Sequence, residues 1–332
     1  MYPKIVKWGV IILTLVLALA LSSVISLAFG PVNIPLDEIF AVLINGEAEL
    51  VNKTIISHIR LPRIILAMLV GSALAVAGAA MQGLFKNPMA DPYVIGISSG
   101  AAFGASIAII AGISVPILAF LGALGAVFLV YNIAIKNGKI AVETLLLSGI
   151  AIAAFFSATT SLLMYMAGEN LHQIVFWLMG GLWASDWDKV MVAFPPILLG
   201  IIGISIFSRD LNAMLLGEEP AQYLGIDVEN VKRILLVLAS LITGIAVSVS
   251  GIIGFVGLII PHMVRIVVGP DNRILIPSCG LVGAIFLIWA DVLARTIIAP
   301  TELPVGIIMA LFGVPFFIYL LRSKKRNWMI RC

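Results

Sequence analysis

Asp291 and Arg295 stand four residues apart in a long apolar run, a spacing that sets a carboxylate and a guanidinium on one helix face. A carboxylate in such a run is also what a proton- or sodium-driven carrier would use. Asp291 is therefore the one candidate for ion-coupled transport, set against an intrahelical pair near the outer end of a span. Other chemistry is missing. Gly138-Lys139 lacks both the upstream glycine and the following hydroxyl residue of a G-x-x-x-x-G-K-[ST] phosphate loop, so the chain is not expected to hydrolyse ATP. The sequence contains no H-E-x-x-H, no Cys/His cluster and no credible nucleophile elbow. Its two cysteines, Cys279 and Cys332, offer neither a disulfide framework nor a metal-ligand spacing. No catalytic residue, resident metal or cofactor is expected, and the chain reads as something other than an enzyme.

Two further groups are chemically distinctive. Arg60 and Arg63 bracket Leu61-Pro62 just before an apolar run, and Arg295 approaches the same face. Such residues can meet carboxylates on an extracytoplasmic partner, or can reach as long side chains toward lipid headgroups. The polar stretch from Arg209 to Arg233 predicts two short helices. Gly217 ends the first after Leu215 and Leu216, and Glu218-Glu219-Pro220 starts the second. Gly225 closes that second helix after Ala221, Tyr223 and Leu224. The pair suits a groove on a cytoplasmic partner; a solvated loop is the alternative.

The elements that must position these residues are membrane helices. Of 332 residues 61% are hydrophobic and 11% charged, more apolar surface than a soluble core can hide. Continuous apolar runs, rather than alternating ones, exclude a closed barrel. The net charge of +3 needs no nucleic acid, since basic residues beside spans set topology. Spans are expected near 9–29, 64–84, 93–112, 115–135, 144–166, 190–207, 234–252, 255–268, 275–298 and 304–321. The first is too long for a secretory signal peptide and no convincing cleavage site follows it. An unbroken helix over 234–268 would be about 50 Å long, so a reversal is expected among Gly251, Gly254, Gly257 and Pro261. Lys4 and Lys7 at one end and Arg322, Lys324, Lys325 and Arg326 at the other place both termini in the cytoplasm, and ten spans obey the positive-inside rule.

Gly71 to Gly78 is echoed by Gly244 to Gly251, with Pro88 or Pro261 ten residues after each second glycine. Small residues recur by chance in packed membrane helices, but span 2 and span 7 run in opposite directions, as inverted repeats require. The expected fold is thus all-α, one permease domain over 1–332 with inverted five-helix halves near 1–170 and 171–332.

Several motifs then fall in order along nearly the whole chain. Arg60-Leu-Pro-Arg63, Gly71 through Pro92, Gly96-Ile-Ser-Ser-Gly100-Ala101, Trp177-Leu-Met-Gly-Gly181 and Gly254 through Arg265 resemble the FecCD family of importer permeases for iron-siderophores, haem and cobalamin. Leu215 through Gly225, Ala290-Asp291 with Arg295, and Glu302-Leu-Pro-Val-Gly306 extend the match. The resemblance implies a cell-membrane homodimer with two cytoplasmic ATP-binding-cassette ATPase subunits and an extracytoplasmic substrate-binding protein. It implies that Arg60, Arg63 and Arg295 dock the binding protein, and that Leu215, Gly217, Glu218, Glu219, Ala221, Leu224 and Gly225 contact the ATPase. Spans 5 and 10 would line the path, with a cytoplasmic gate at Asn87, Met89, Val142 and Glu143. Val142 and Glu143 depart from the small hydroxyl residues of some relatives.

Overall fold

The computed structural model describes residues 2–32, 34–45, 50–136 and 138–324. The chain is built almost wholly of helices: α1 Tyr2–Ala28, α2 Leu36–Phe40, α3 Leu50–Thr54, α4 Leu61–Leu84, α5 Ile97–Ala111, α6 Val115–Ala134, α7 Val142–Met166 and α8 Leu171–Met179. There follow α9 Trp187–Ile206, α10 Ser208–Leu215, α11 Glu218–Tyr223, α12 Val228–Ser250, α13 Val256–Val268, α14 Asn272–Thr296 and α15 Val305–Lys324. Two-residue strands, β1 Ile135–Lys136 and β2 Lys139–Ile140, form a small antiparallel hairpin between α6 and α7. That hairpin and the helical turns between α1 and α4 are additions to the expected all-α span pattern. Lys325, Arg326 and Cys332 lie outside the described residues.

Each expected apolar run meets a helix. Among the described residues seven helical segments are long and apolar enough to cross a membrane, while Ile97–Ala111, Val256–Val268 and Val305–Ile318 are shorter. Burial sorts them into centre and rim. The most apolar windows of Leu50–Leu84 and α12 are 78% and 72% buried, against 17% in α1 and 28% in α6, α7 and α9. The rim helices present Leu, Ile and Phe outward, which is stable where the surroundings are hydrocarbon.

At the centre α4 packs on α14, α12, α13 and α9. The absence of side chains sets the approach: a Cβ on Gly71 would lie 2.2 Å from the Gly283 carbonyl oxygen, and one on Gly78 would lie 2.0 Å from that of Gly257. Backbones brought this close gain dispersion contact that larger residues would forbid.

Two breaks interrupt the bundle. After α4 the chain turns through Lys86 to Asp91, whose carboxylate accepts from the Tyr93 amide at 2.8 Å and caps the 3-10 turn Pro92–Ile95. After α12 the chain leaves the helix at Gly251, with φ of +67°, and re-enters at Val256. Pro261 therefore lies inside α13, not at the reversal. It is tolerated because the carbonyl it leaves without a backbone donor, that of Gly257, faces the Gln82 side-chain amide at 3.3 Å. Pro88 lies in a loop while Pro261 lies in a helix, so the sequence echo does not extend to equivalent prolines.

Candidate functional site

At one end of the bundle the C-terminal ends of α1 and α14 meet the N-terminal end of α4. Here the three arginines expected to dock a partner come together, and all three side chains are buried. Arg63 grips Asp291, with Nη2 to Oδ1 at 2.8 Å and Nε to both carboxylate oxygens at 3.0 Å, and its Nη1 reaches Glu302 Oε2 at 2.8 Å. Arg295 donates to the Ser26 carbonyl at 2.8 Å and stands 3.6 Å from Asp291, an ion pair beyond hydrogen-bond range. Arg60 donates to the carbonyls of Leu27 and Val32. The spacing argument identified the Asp291–Arg295 pair but missed its closer partner, Arg63, which is 228 residues away in sequence. Asp291 is thus engaged by two guanidinium groups, as the structural ion-pair alternative expects.

The opposite end carries the polar segment. Both short helices form as the glycines predict, with Gly217 at φ +136° between them and Gly225 at φ +82° after the second. Leu211 and Met214 bury one face of α10, with Leu211 against Gly83 of α4. The other face leaves Leu216 74%, Tyr223 90% and Leu224 67% exposed, with Leu215 beside them. These side chains stand among Arg209, Asp210, Glu219, Asp227 and Asn230, in the most hydrophilic stretch of the chain, so hydrocarbon does not explain their exposure. Ala221 is fully buried and belongs to the support of this surface rather than to the surface itself.

Two tethers missed by sequence reasoning hold this segment. Asn212 of α10 donates to Asp271 at 2.8 Å, and its oxygen accepts from the Asn272 amide at 2.8 Å. The Arg273 guanidinium beside Asp271 holds that carboxyl down to about 2. Lys232 of α12 pairs with Glu218 of α11 at 2.8 Å. Only the helix-cap position of Asp271 and the Glu229–Lys232 spacing could have signalled these contacts in the sequence.

The residues expected to form a gate lie near this end. Asn87 Oδ1 accepts from the Met89 amide at 3.0 Å, and Val142 and Glu143 open α7. Val142 shares a small void with Leu84, Phe85, Ile140, Leu145, Lys232 and Leu236, which sets the start of α7 beside the end of α4. Beyond it α7 exposes one long face through Leu147, Ile150, Phe155, Leu162 and Tyr165, and α15 exposes Leu311, Phe312 and Ile318.

Comparison with known proteins agrees with this architecture. The model of the FecCD transport family matches residues 17–323. The cobalamin import system permease protein BtuC of Halobacterium salinarum is 50% identical over 277 residues, 82% of this chain and 74% of its own length. The hemin transport system permease protein HmuU of Yersinia pestis is 42% identical over 284 residues, covering 81% of this chain and 84% of that one. A solved inward-facing structure of a metal-chelate type ABC transporter superposes with a TM-score of 0.86 at 35% identity, covering 95% of this chain and 99% of that one. With a helical bundle, an exposed apolar patch on α10 and α11 and no phosphate loop in the sequence, the chain belongs to the FecCD transport family and is the permease subunit of an ATP-driven importer.

Proposed function

We propose that two copies of this chain form the path by which a metal chelate, an iron-siderophore, haem or cobalamin, crosses the cell membrane. Ten spans in two inverted five-helix halves would leave both termini in the cytoplasm. Two ATPase subunits dock on α10 and α11, and a substrate-binding protein docks at the far end. The exposed faces of α7 and α15 suit a path between copies, closed at the cytoplasmic side around Asn87, Met89, Val142 and Glu143.

The observation that carries this reading is the patch formed by Leu215, Leu216, Tyr223 and Leu224 on two short helices held by ion pairs and hydrogen bonds. A solvent-exposed apolar patch in a polar segment is stable once a partner covers it. At the far end Arg63 and Arg295 converge on Asp291 and Arg63 also holds Glu302, while Arg60 holds backbone carbonyls beside them, which gathers three guanidinium groups where an acidic partner can approach. Replacing Leu215 and Leu224 with aspartate tests the docking claim by co-purification with the ATPase. Loss of the ATPase from the complex is expected; retention with normal ATP-driven uptake would overturn the assignment.

A further inference from the structure

Lys232 lies inside the protein, its side chain only 4% exposed, yet it is held by two carboxylates that belong to different elements. Its ammonium meets Glu218 Oε1 at 2.8 Å and Glu229 Oε1 at 3.0 Å. Glu218 is the first residue of α11 and its side chain is 43% exposed. The second oxygen of Glu229 accepts from the backbone amide of Ile140 at 2.9 Å. Ile140 closes the β1–β2 hairpin against Ile135 and stands two residues before Val142, where α7 begins. Arg233, next along α12, donates to the Gly138 carbonyl in the turn of that hairpin at 2.5 Å.

We propose that Lys232 is a positioning residue that transmits displacement of α11 to the hairpin and the start of α7, so that the ATPase-facing surface sets the gate through the relay Glu218–Lys232–Glu229–Ile140. The inference rests on the docking reading above and names how that docking is read out. A buried ammonium left with one carboxylate is costly, so neither Glu218 nor Glu229 moves without drawing Lys232 along. The relay needs the positive charge more than the side-chain volume. Two carboxylates held 2.8 and 3.0 Å from one ammonium repel each other once that charge is gone. Lysine, with three donors on a flexible stem, can follow both through a rotation that a rigid contact would block.

The test uses the complete complex of permease, ATPase subunits and binding protein in proteoliposomes, with uptake and ATP hydrolysis measured on the same vesicles. Lys232→Met keeps the stem and removes the charge. The ATPase is expected to co-purify as in the unaltered protein, while substrate moved per ATP falls at least about fivefold, the lower end of typical coupling between sites. Lys232→Arg, which can span both carboxylates, is expected to restore most of that ratio. An unchanged ratio in Lys232→Met overturns the relay. So does a parallel fall in hydrolysis and uptake together with a lower melting temperature, which marks a staple rather than a transmitter. If Lys232→Met does not assemble, Glu218→Gln, at the exposed end, is expected to lower the same ratio, and no change there rejects the relay. Failure of the docking reading is separately visible, because the ATPase would then remain bound to Leu215→Asp and Leu224→Asp variants.

Discussion

The phenol of Tyr93 donates to the carbonyl oxygen of Ile253 at 3.0 Å, joining the two places where the central helices are interrupted. Tyr93 sits in the 3-10 turn after α4, and Ile253 in the non-helical segment between α12 and α13. Close by, a Cβ on Gly257, in the first turn of α13, would lie 3.2 Å from Pro92 Cδ, so the start of α13 packs on the 3-10 turn as well. Irregular backbone inside a membrane bundle persists only where protein groups replace the missing helical bonds. Removing the Tyr93 hydroxyl should therefore matter more than its size suggests. Tyr93→Phe is expected to destabilise the purified permease by about 1–3 kcal/mol, the usual penalty for a buried carbonyl left without its donor. Thermal unfolding in detergent would show it as a lower midpoint, and an unchanged midpoint would count against the bond.

Gln82 and Pro261 form a coupled pair of the same kind. Gln82→Leu removes the donor to Gly257 and the acceptor that Arg265 uses at 3.1 Å. A loss of about 1–3 kcal/mol is expected. In the double variant Gln82→Leu, Pro261→Ala the restored backbone amide can serve Gly257, so part of the loss should return. Strict additivity of the two substitutions in a denaturation cycle would show that they do not share this carbonyl.

Arg63→Ala should be the most damaging single change in the arginine cluster. It leaves the buried Asp291 with Arg295 alone, at 3.6 Å, and the loss of a buried partner is expected to cost about 3–5 kcal/mol. Asp291→Asn in the same background should recover stability by removing the uncompensated charge. If Arg63→Ala is as stable as the unaltered protein, the cluster is not a structural clasp.

Asp271 gives the end that carries α10 and α11 a pH dependence. Its carboxyl is held down to about 2 chiefly by the Arg273 hydrogen bond, from an ordinary value of 3.8. The ionised form is the one favoured by folding, so its contribution is fully present above the ordinary value and is lost as pH falls from about 4 toward 2. Solvent screening of this partly exposed pair holds the size to about 1 kcal/mol or less. Asp271→Asn should flatten that part of the stability curve while keeping a helix cap. An unaltered slope between pH 4 and pH 2 would exclude Asp271 as its source.

Much of this architecture is legible in the sequence because its signals are local. Apolar length predicts where the long helices fall, and Gly217 and Gly225 mark the ends of α10 and α11 through a backbone conformation that glycine adopts without strain. Asp291 and Arg295 announce an ion pair by their spacing. What escapes is long-range. Nothing near Arg63 in sequence tells that Asp291 and Glu302 will take its charge, and an arginine expected at a partner interface is consequently found inside. Pro261 reads as a helix breaker because the group that compensates for it, Gln82, lies on another helix. Lys232 reads as a flank of positive charge until α11 folds back and brings Glu218 to it.

As the permease subunit of an importer, this chain should move substrate only when a separate ATPase drives it. Proteoliposomes holding the permease with its ATPase and binding protein should accumulate a cobalamin, haem or siderophore-iron complex when ATP is supplied, and stop when the ATPase is omitted. Accumulation by the permease alone, without nucleotide, would contradict the account.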